Sequence, residues 1–208
     1  MNLHSDSITD GEPIPGEYAL CVPDPDEHVA MAANRSPHLA WTDVPEGLAS
    51  FAVICVDIDV PTVGDDVNQE GKTVSADLER TDFFHWVLVD VPPSIRELEE
   101  GRDSDGVTPR GKDLGQTEYG VRGRNDYTDW FAGDEDMEGI YGGYDGPCPP
   151  WNDERVHRYL FRVYALDLPT LGLDGEFGGA DAMEAIEAHL LDHAEIQGTY
   201  TLNPNLKT

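Results

Sequence analysis

Positive charge is scarce in this chain. Only 13 Lys and Arg stand against 42 Asp and Glu, a formal net charge of −29, and lysine occurs only as Lys72, Lys112 and Lys207. Such a field repels phosphate backbones, so no nucleic-acid partner is expected. It also loads the compact state with self-repulsion. At ~1 M salt the Debye length shrinks to about 3 Å and that repulsion fades. The composition therefore predicts a halophile protein of an acidic proteome. A thermal stability unchanged between ~0.1 and ~3 M KCl would count against this.

Cysteine is scarce too. Three cysteines, an odd number in a chain of 208 residues, argue against a disulfide framework. Cys55, inside FAVICVDI, reads as a buried small hydrophobe. Cys148, in a Pro-rich loop, is a candidate reactive thiol, although no base adjoins it in sequence. Long apolar runs are missing: none approaches the roughly 20 residues that span a bilayer. The opening MNLHSDSITDGEPIPG has neither a basic region nor an apolar one, so no secretory signal is expected and the cytoplasm is the expected compartment. P-loop, G-x-S-x-G, zinc-spacing and dinucleotide fingerprints are lacking as well.

What is present suffices for one domain, 1–208, with a real core: 39% of residues are hydrophobic and 26% charged. Residues 1–17 are polar and unpatterned, and read as a loose arm. Ser50–Asp59 (SFAVICVDID) is β-branched and almost uninterrupted, a strand buried on both faces, closed by Pro61. Residues 62–82 read as an insertion loop. A second strand runs over Asp82–Val91 (DFFHWVLVDV) to Pro92-Pro93, with a short helical turn after Ile95. Residues 101–142 show little period, which in a compact domain points to a functional or ligand-ordered segment. His157–Leu168 alternates clearly and is a third strand. Asp181–Ile196 predicts the main helix, with Asp181 and Glu184 as a capping box; GTYTLNP predicts a last strand. Strands without βαβ alternation predict a mostly antiparallel β fold.

The chemistry-bearing residues cluster at strand ends. Asp57 and Asp59 lie two apart and should share a strand face; one would accept from pocket histidines and the other tie down a loop. A solvated strand end is the ordinary alternative. His85, inside FFHW, reads as a satisfied core histidine or a pocket group. The alternation puts His157 and Tyr159 on one face and Arg158 on the other, leaving Arg158 to hold an acidic loop. His189 and His193 form an i, i+4 pair, read as exposed helix histidines rather than metal ligands. Asp134, Asp136, Glu138, Gly139 and Asp145 match a calcium-loop template poorly, because no Glu stands at position 12. No metal or cofactor is expected.

Three segments in order, SPHLAWTDVPEGLASFAVICVDIDVPT (36–62), FFHWVLVDVPPSIRELEEG (83–101) and GYDGPCPPWNDERVHRYLFRVYALD (143–167), with the tail through Gly198-Thr199-Tyr200, resemble the phosphatidylethanolamine-binding protein (PEBP) family. That family includes the Raf kinase inhibitor protein and bacterial and archaeal relatives. The resemblance spans about residues 15–204. It implies a PEBP-like antiparallel β-sandwich with a C-terminal helix and short peripheral helices, and a small anion pocket at one end. Carried over position by position, it implies ligand-binding roles for Asp57, Asp59, His85, His157 and Tyr159, support from Arg158, and walls from Pro61, Phe83, Pro149 and Pro150. Ile58 departs from the family's usual D-P-D, WNDERV replaces a Gly-containing turn, and the 62–82 loop is longer than in compact relatives. Trp151 is therefore expected as a lid, and Asn125-Asp126-Tyr127 as further lining.

The resulting expectation is a binding protein for a small anionic head group, phosphate ester or carboxylate. Regulation of a kinase or protease through the pocket rim is the alternative, and hydrolysis is disfavoured for want of an activated nucleophile.

Overall fold

A computed structural model describes residues 1–206. Chain order is β1 (Asn2–His4), a 3-10 turn (Gly16–Tyr18), β2 (Cys21–Asp24), β3 (His28–Met31), β4 (Leu39–Thr42), β5 (Ser50–Pro61) and β6 (Arg80–Val91). Then come β7 (Glu97–Leu98), β8 (Gly115–Gln116), β9 (Val121–Arg122), α1 (Tyr127–Trp130), β10 (His157–Leu166), α2 (Gly179–Glu187) and β11 (Leu190–Tyr200). Six strands form one antiparallel sheet in the order β11-β10-β5-β6-β9-β8, while β1-β4-β7 form a smaller sheet and β2-β3 a hairpin.

Strand alternation sorts the core into two layers. Phe51, Val53 and Cys55 of β5 join Trp86, Leu88, Phe161 and Val163 on one face, under Leu39 and Trp41 of the small sheet. Ala52, Ile54 and Val56 join Val87, Val89, Leu160 and Tyr164 on the other, beneath Ala182 and Ile186 of α2. Both faces of β5 are covered, as its unbroken apolar run requires. The result is the mostly antiparallel β fold that the strand pattern predicts, with the sandwich-like layering and few short helices that the family resemblance implies.

Several expectations are corrected. Residues 1–17 are not a loose arm: β1 pairs with β4, and Ile8 and Ile14 lie in the core. The predicted helix 181–196 stops at Glu187, and Leu190–Tyr200 forms a strand instead. Ile196 pairs with Phe161 and Tyr200 with His157, and Ile196, Gly198 and Tyr200 alternate inward. A long antiparallel register thus outweighs local helix propensity. His189 and His193 consequently share no helix; His189 Nδ1 lies 2.9 Å from Asp167. Asp181 is the third helical residue, not the cap: its carboxylate accepts the Gly178 N–H at 2.9 Å.

Cysteine pairing is the sharpest correction. Cys21 and Cys148 form a disulfide, and only Cys55 is free and buried. Cys148 is therefore not a reactive thiol. Parity alone could not reveal one bridge plus one core cysteine.

Candidate functional site

The ends of β5, β6 and β10 meet at one cavity of ≈ 490 Å³, counted out to its open mouth. Register explains the convergence: Asp57 stands between Tyr159 on one side and Phe83 on the other. The polar groups at the cavity are Asp57, His85, His157 and Tyr159, and Val60, Pro61, Phe83, Pro149 and Pro150 wall it. Gly64, Val67, Tyr127, Trp130 and Cys148 complete the lining.

The Gly143–Trp151 loop reaches this wall through close backbone contacts. Leu20 and Cys21 N–H groups both donate to the Pro147 carbonyl, at 2.9 and 3.2 Å. Gly146 is required there, since a Cβ would sit 2.1 Å from the Tyr18 carbonyl oxygen. The disulfide adds a covalent tie at the next residue but one.

The two carboxylates of Asp57 and Asp59 diverge, against the shared-face expectation. Register shifts between Asp57 and Val60 break the strand period, and the Asp59 N–H donates to Asp57 Oδ1 at 2.8 Å. Asp59 accepts from Arg158 Nε at 2.8 Å, from its Nη2 at 3.0 Å and from Arg155 Nη1 at 3.1 Å. Burial raises the Asp59 pKa, but these guanidinium groups outweigh it and hold the carboxyl below the ordinary value. Asp59 does not line the cavity; its carboxylate accepts from the Arg158 guanidinium on the other face of β10.

His157 is fully buried, and both its ring nitrogens are engaged. Nδ1 lies 2.7 Å from Asp57 Oδ2, and Nε2 lies 3.1 Å from Asp153 Oδ2. Burial disfavours its charge, yet Asp57 and Asp153 prevail and lift its pKa to about 9. His157 is thus an imidazolium donating to two carboxylates. Asp153 in turn accepts both Nη atoms of Arg80, at 2.6 and 3.0 Å.

His85 has different company. Its Nδ1 faces the Asp145 carbonyl at 2.8 Å, and burial depresses its pKa despite the nearby Asp57. A neutral His85 therefore carries its hydrogen on Nδ1 and leaves Nε2 a bare acceptor. Tyr159 is fully buried, and no group among the described residues meets its hydroxyl in good hydrogen-bond geometry, although the Asp57 carboxylate lies close enough to act on it. Burial, then the Asp57 carboxylate, push its pKa well above the ordinary value.

Trp151 is not a lid. Its indole stacks on His28 at 3.9 Å and lines a separate cleft with Lys72 and Asn203. Tyr127 does line the cavity, while Asn125 holds Asp145 from behind at 2.9 Å and Asp126 accepts the Phe84 N–H at 2.7 Å. Asp145, the last residue of the calcium template, is bonded to Lys112 and Asn34, both at 2.7 Å.

Arg80, Asp153, Val67 and Trp130 escaped the sequence reading. The available signal was the unusual WNDERV turn opposite the long 62–82 loop: Asn152 Nδ2 donates to the Asp66 and Lys72 carbonyls, and Val74 bridges Asp153. His4, Asp6 and His38 also gather ligand atoms within 4.8 Å. However, His38 Nδ1 accepts the Asp6 N–H and its Nε2 faces Glu97 at 3.1 Å, so neither nitrogen stands ready for a cation.

The family model described as phosphatidylethanolamine-binding protein matches residues 4–201. A UPF0098 protein of Methanothermobacter thermautotrophicus is 32% identical, over 96% of this chain and 98% of its own length. The UPF0098 protein YbhB of Escherichia coli is 30% identical, over 97% and 100%. The crystal structure of E. coli YbcL, described as a new member of the mammalian PEBP family, superposes with a TM-score of 0.68 at 26% identity, covering 96% of this chain and 97% of that one. With the cavity at the meeting of β5, β6 and β10 and a family match running almost end to end, the chain belongs to the bacterial and archaeal branch of the phosphatidylethanolamine-binding protein family.

Proposed function

We propose that the cavity binds a small oxyanion head group, a carboxylate or phosphate ester, through the Tyr159 hydroxyl and the Nε2 of His85. The observation that carries this reading is the partnerless buried hydroxyl of Tyr159 beside the cavity. A buried unsatisfied hydroxyl costs about 1–3 kcal/mol, and a bound acceptor would relieve it. The apolar walls would exclude water and strengthen that contact.

Anion binding is linked to proton uptake in this scheme. Around His85 stand Asp57 from β5, the Asp145 carbonyl with its Lys112-paired carboxylate, the His157 imidazolium, and the Tyr127 and Tyr159 rings. Burial keeps the empty-site pKa low, so an anion would draw a proton onto Nε2. Affinity should therefore fall as pH rises. Calorimetry with dimethyl phosphate and benzoate, both singly charged, in buffers of differing ionisation heat, should register about one proton taken up. No binding at any pH would overturn the reading.

A binding role is favoured over hydrolysis. Cys148 is oxidised, and both carboxylate oxygens of Asp57 are already hydrogen-bonded. The rim reading, regulation of a kinase or protease, draws support from Trp130, which lines the cavity yet is 52% exposed. Among the described residues no helix is long and apolar enough to cross a membrane. We place the chain in a high-salt cytoplasm on the strength of its charge. The Cys21–Cys148 bridge requires that compartment to be weakly reducing, and free-thiol counting on protein trapped in intact cells would test it.

A further inference from the structure

We propose that Asp153, clamped by Arg80, decides which anions the cavity accepts: it claims Nε2 of His157 from behind and confines the cavity to singly charged head groups. The inference rests on the anion-binding reading above and deepens it. Asp153 is 1% exposed and lies behind His157, outside the cavity lining. It cannot swing away, because Arg80 grips both its oxygens and also donates to the Asp59 and Ser75 carbonyls. The Arg155 N–H donates to Asp153 Oδ1 at 2.9 Å, and the Trp151 N–H donates to Asn68 Oδ1 at 3.0 Å, fixing the turn on either side.

This arrangement has two consequences for a ligand. First, both hydrogens of the His157 ring are spent on protein carboxylates. Among the cavity-lining side chains, the Tyr159 hydroxyl and the His85 imidazole are those with hydrogen-bonding capacity unspent. Second, the buried charges balance: Asp57 and Asp153 against His157 and Arg80. A monoanion arriving with a proton for His85 leaves the site neutral. A dianion leaves one charge without a counterpart against proline, valine and phenylalanine walls. The acidic surface adds to that penalty.

Calorimetry on the full chain with two probes of similar shape tests this. Benzenesulfonate is singly charged throughout, and phenylphosphonate is doubly charged at mildly alkaline pH. The wild type should favour the sulfonate by at least about tenfold. Asp153→Asn keeps the side-chain shape and removes one negative charge, and should shrink that ratio at least about fivefold. Nitrogen-15 spectra of the wild-type histidines supply a readout that needs no variant. Adding benzenesulfonate should move the His85 signals and leave both His157 nitrogens protonated. Equal wild-type affinity for the two probes, or a His157 Nε2 signal that shifts on binding, would overturn the role of Asp153 alone. Binding of neither probe by wild type or variant would overturn the anion reading and the inference with it.

Discussion

His157 and His85 stand on strands either side of β5, yet their ring nitrogens meet opposite company. His157 donates to carboxylates at both nitrogens, within a cluster closed by Arg80. His85 has one carbonyl partner, and the hydroxyl of neighbouring Tyr159 has none among the described residues. One side of the cavity is an ionic network in which both His157 nitrogens and both Asp153 oxygens are engaged and Arg80 Nε is left unpartnered, and the other has bonding capacity left over at the site itself. Finished networks support a fold, whereas unfinished ones await a partner.

The largest effect should come from breaking the finished side. Asp57→Ala leaves His157 Nδ1 unpartnered and His157 and Arg80 sharing the single carboxylate of Asp153, and should cost about 3–5 kcal/mol in guanidinium chloride unfolding. A loss under about 1 kcal/mol would mean the network is not what holds this end of the sheet.

The two histidines should next show opposite signs in stability against pH. The His157 pKa is raised to about 9 in the fold. Its contribution is complete below the unfolded value of about 6.5 and is lost as pH climbs through about 9, up to about 3 kcal/mol. The His85 pKa is depressed. Its contribution is present above about pH 6.5 and shrinks as pH falls below it. Urea titrations across this range should show a maximum near the crossover, and Asp57→Asn should flatten the alkaline limb.

The smallest stability change belongs to the unfinished side. Tyr159→Phe removes a hydroxyl with no protein partner, so the fold should stay within about 1 kcal/mol of wild type. Anion affinity should nevertheless drop at least about tenfold. Comparable losses in both would show that the hydroxyl serves structure rather than binding.

The three central strands were legible in sequence because β-branched runs and strict alternation are local signals. The same alternation correctly separated His157 and Tyr159 from Arg158. Legibility ended where partners come from far along the chain. Asp153 meets Arg80 across 73 positions, and in a chain with 42 acidic residues no single Asp stands out. The 181–196 segment carries helical and alternating patterns at once, and pairing with β10 decides between them. Trp151 looked like a lid because it follows the proline wall, but a stacking partner, His28, draws it elsewhere.

The Cys21–Cys148 bond also sets a mechanical limit. It closes 127 positions of chain into a ring that holds both β5 and β6, while β10, α2 and β11 trail outside it. A force applied at the chain ends can peel β10 off β5, but it cannot draw out the ring. That keeps on the order of 440 Å of contour length beyond reach. Tension would therefore part the cavity between the strand bearing Asp57 and the strand bearing His157, with the proline wall still fastened to Cys21.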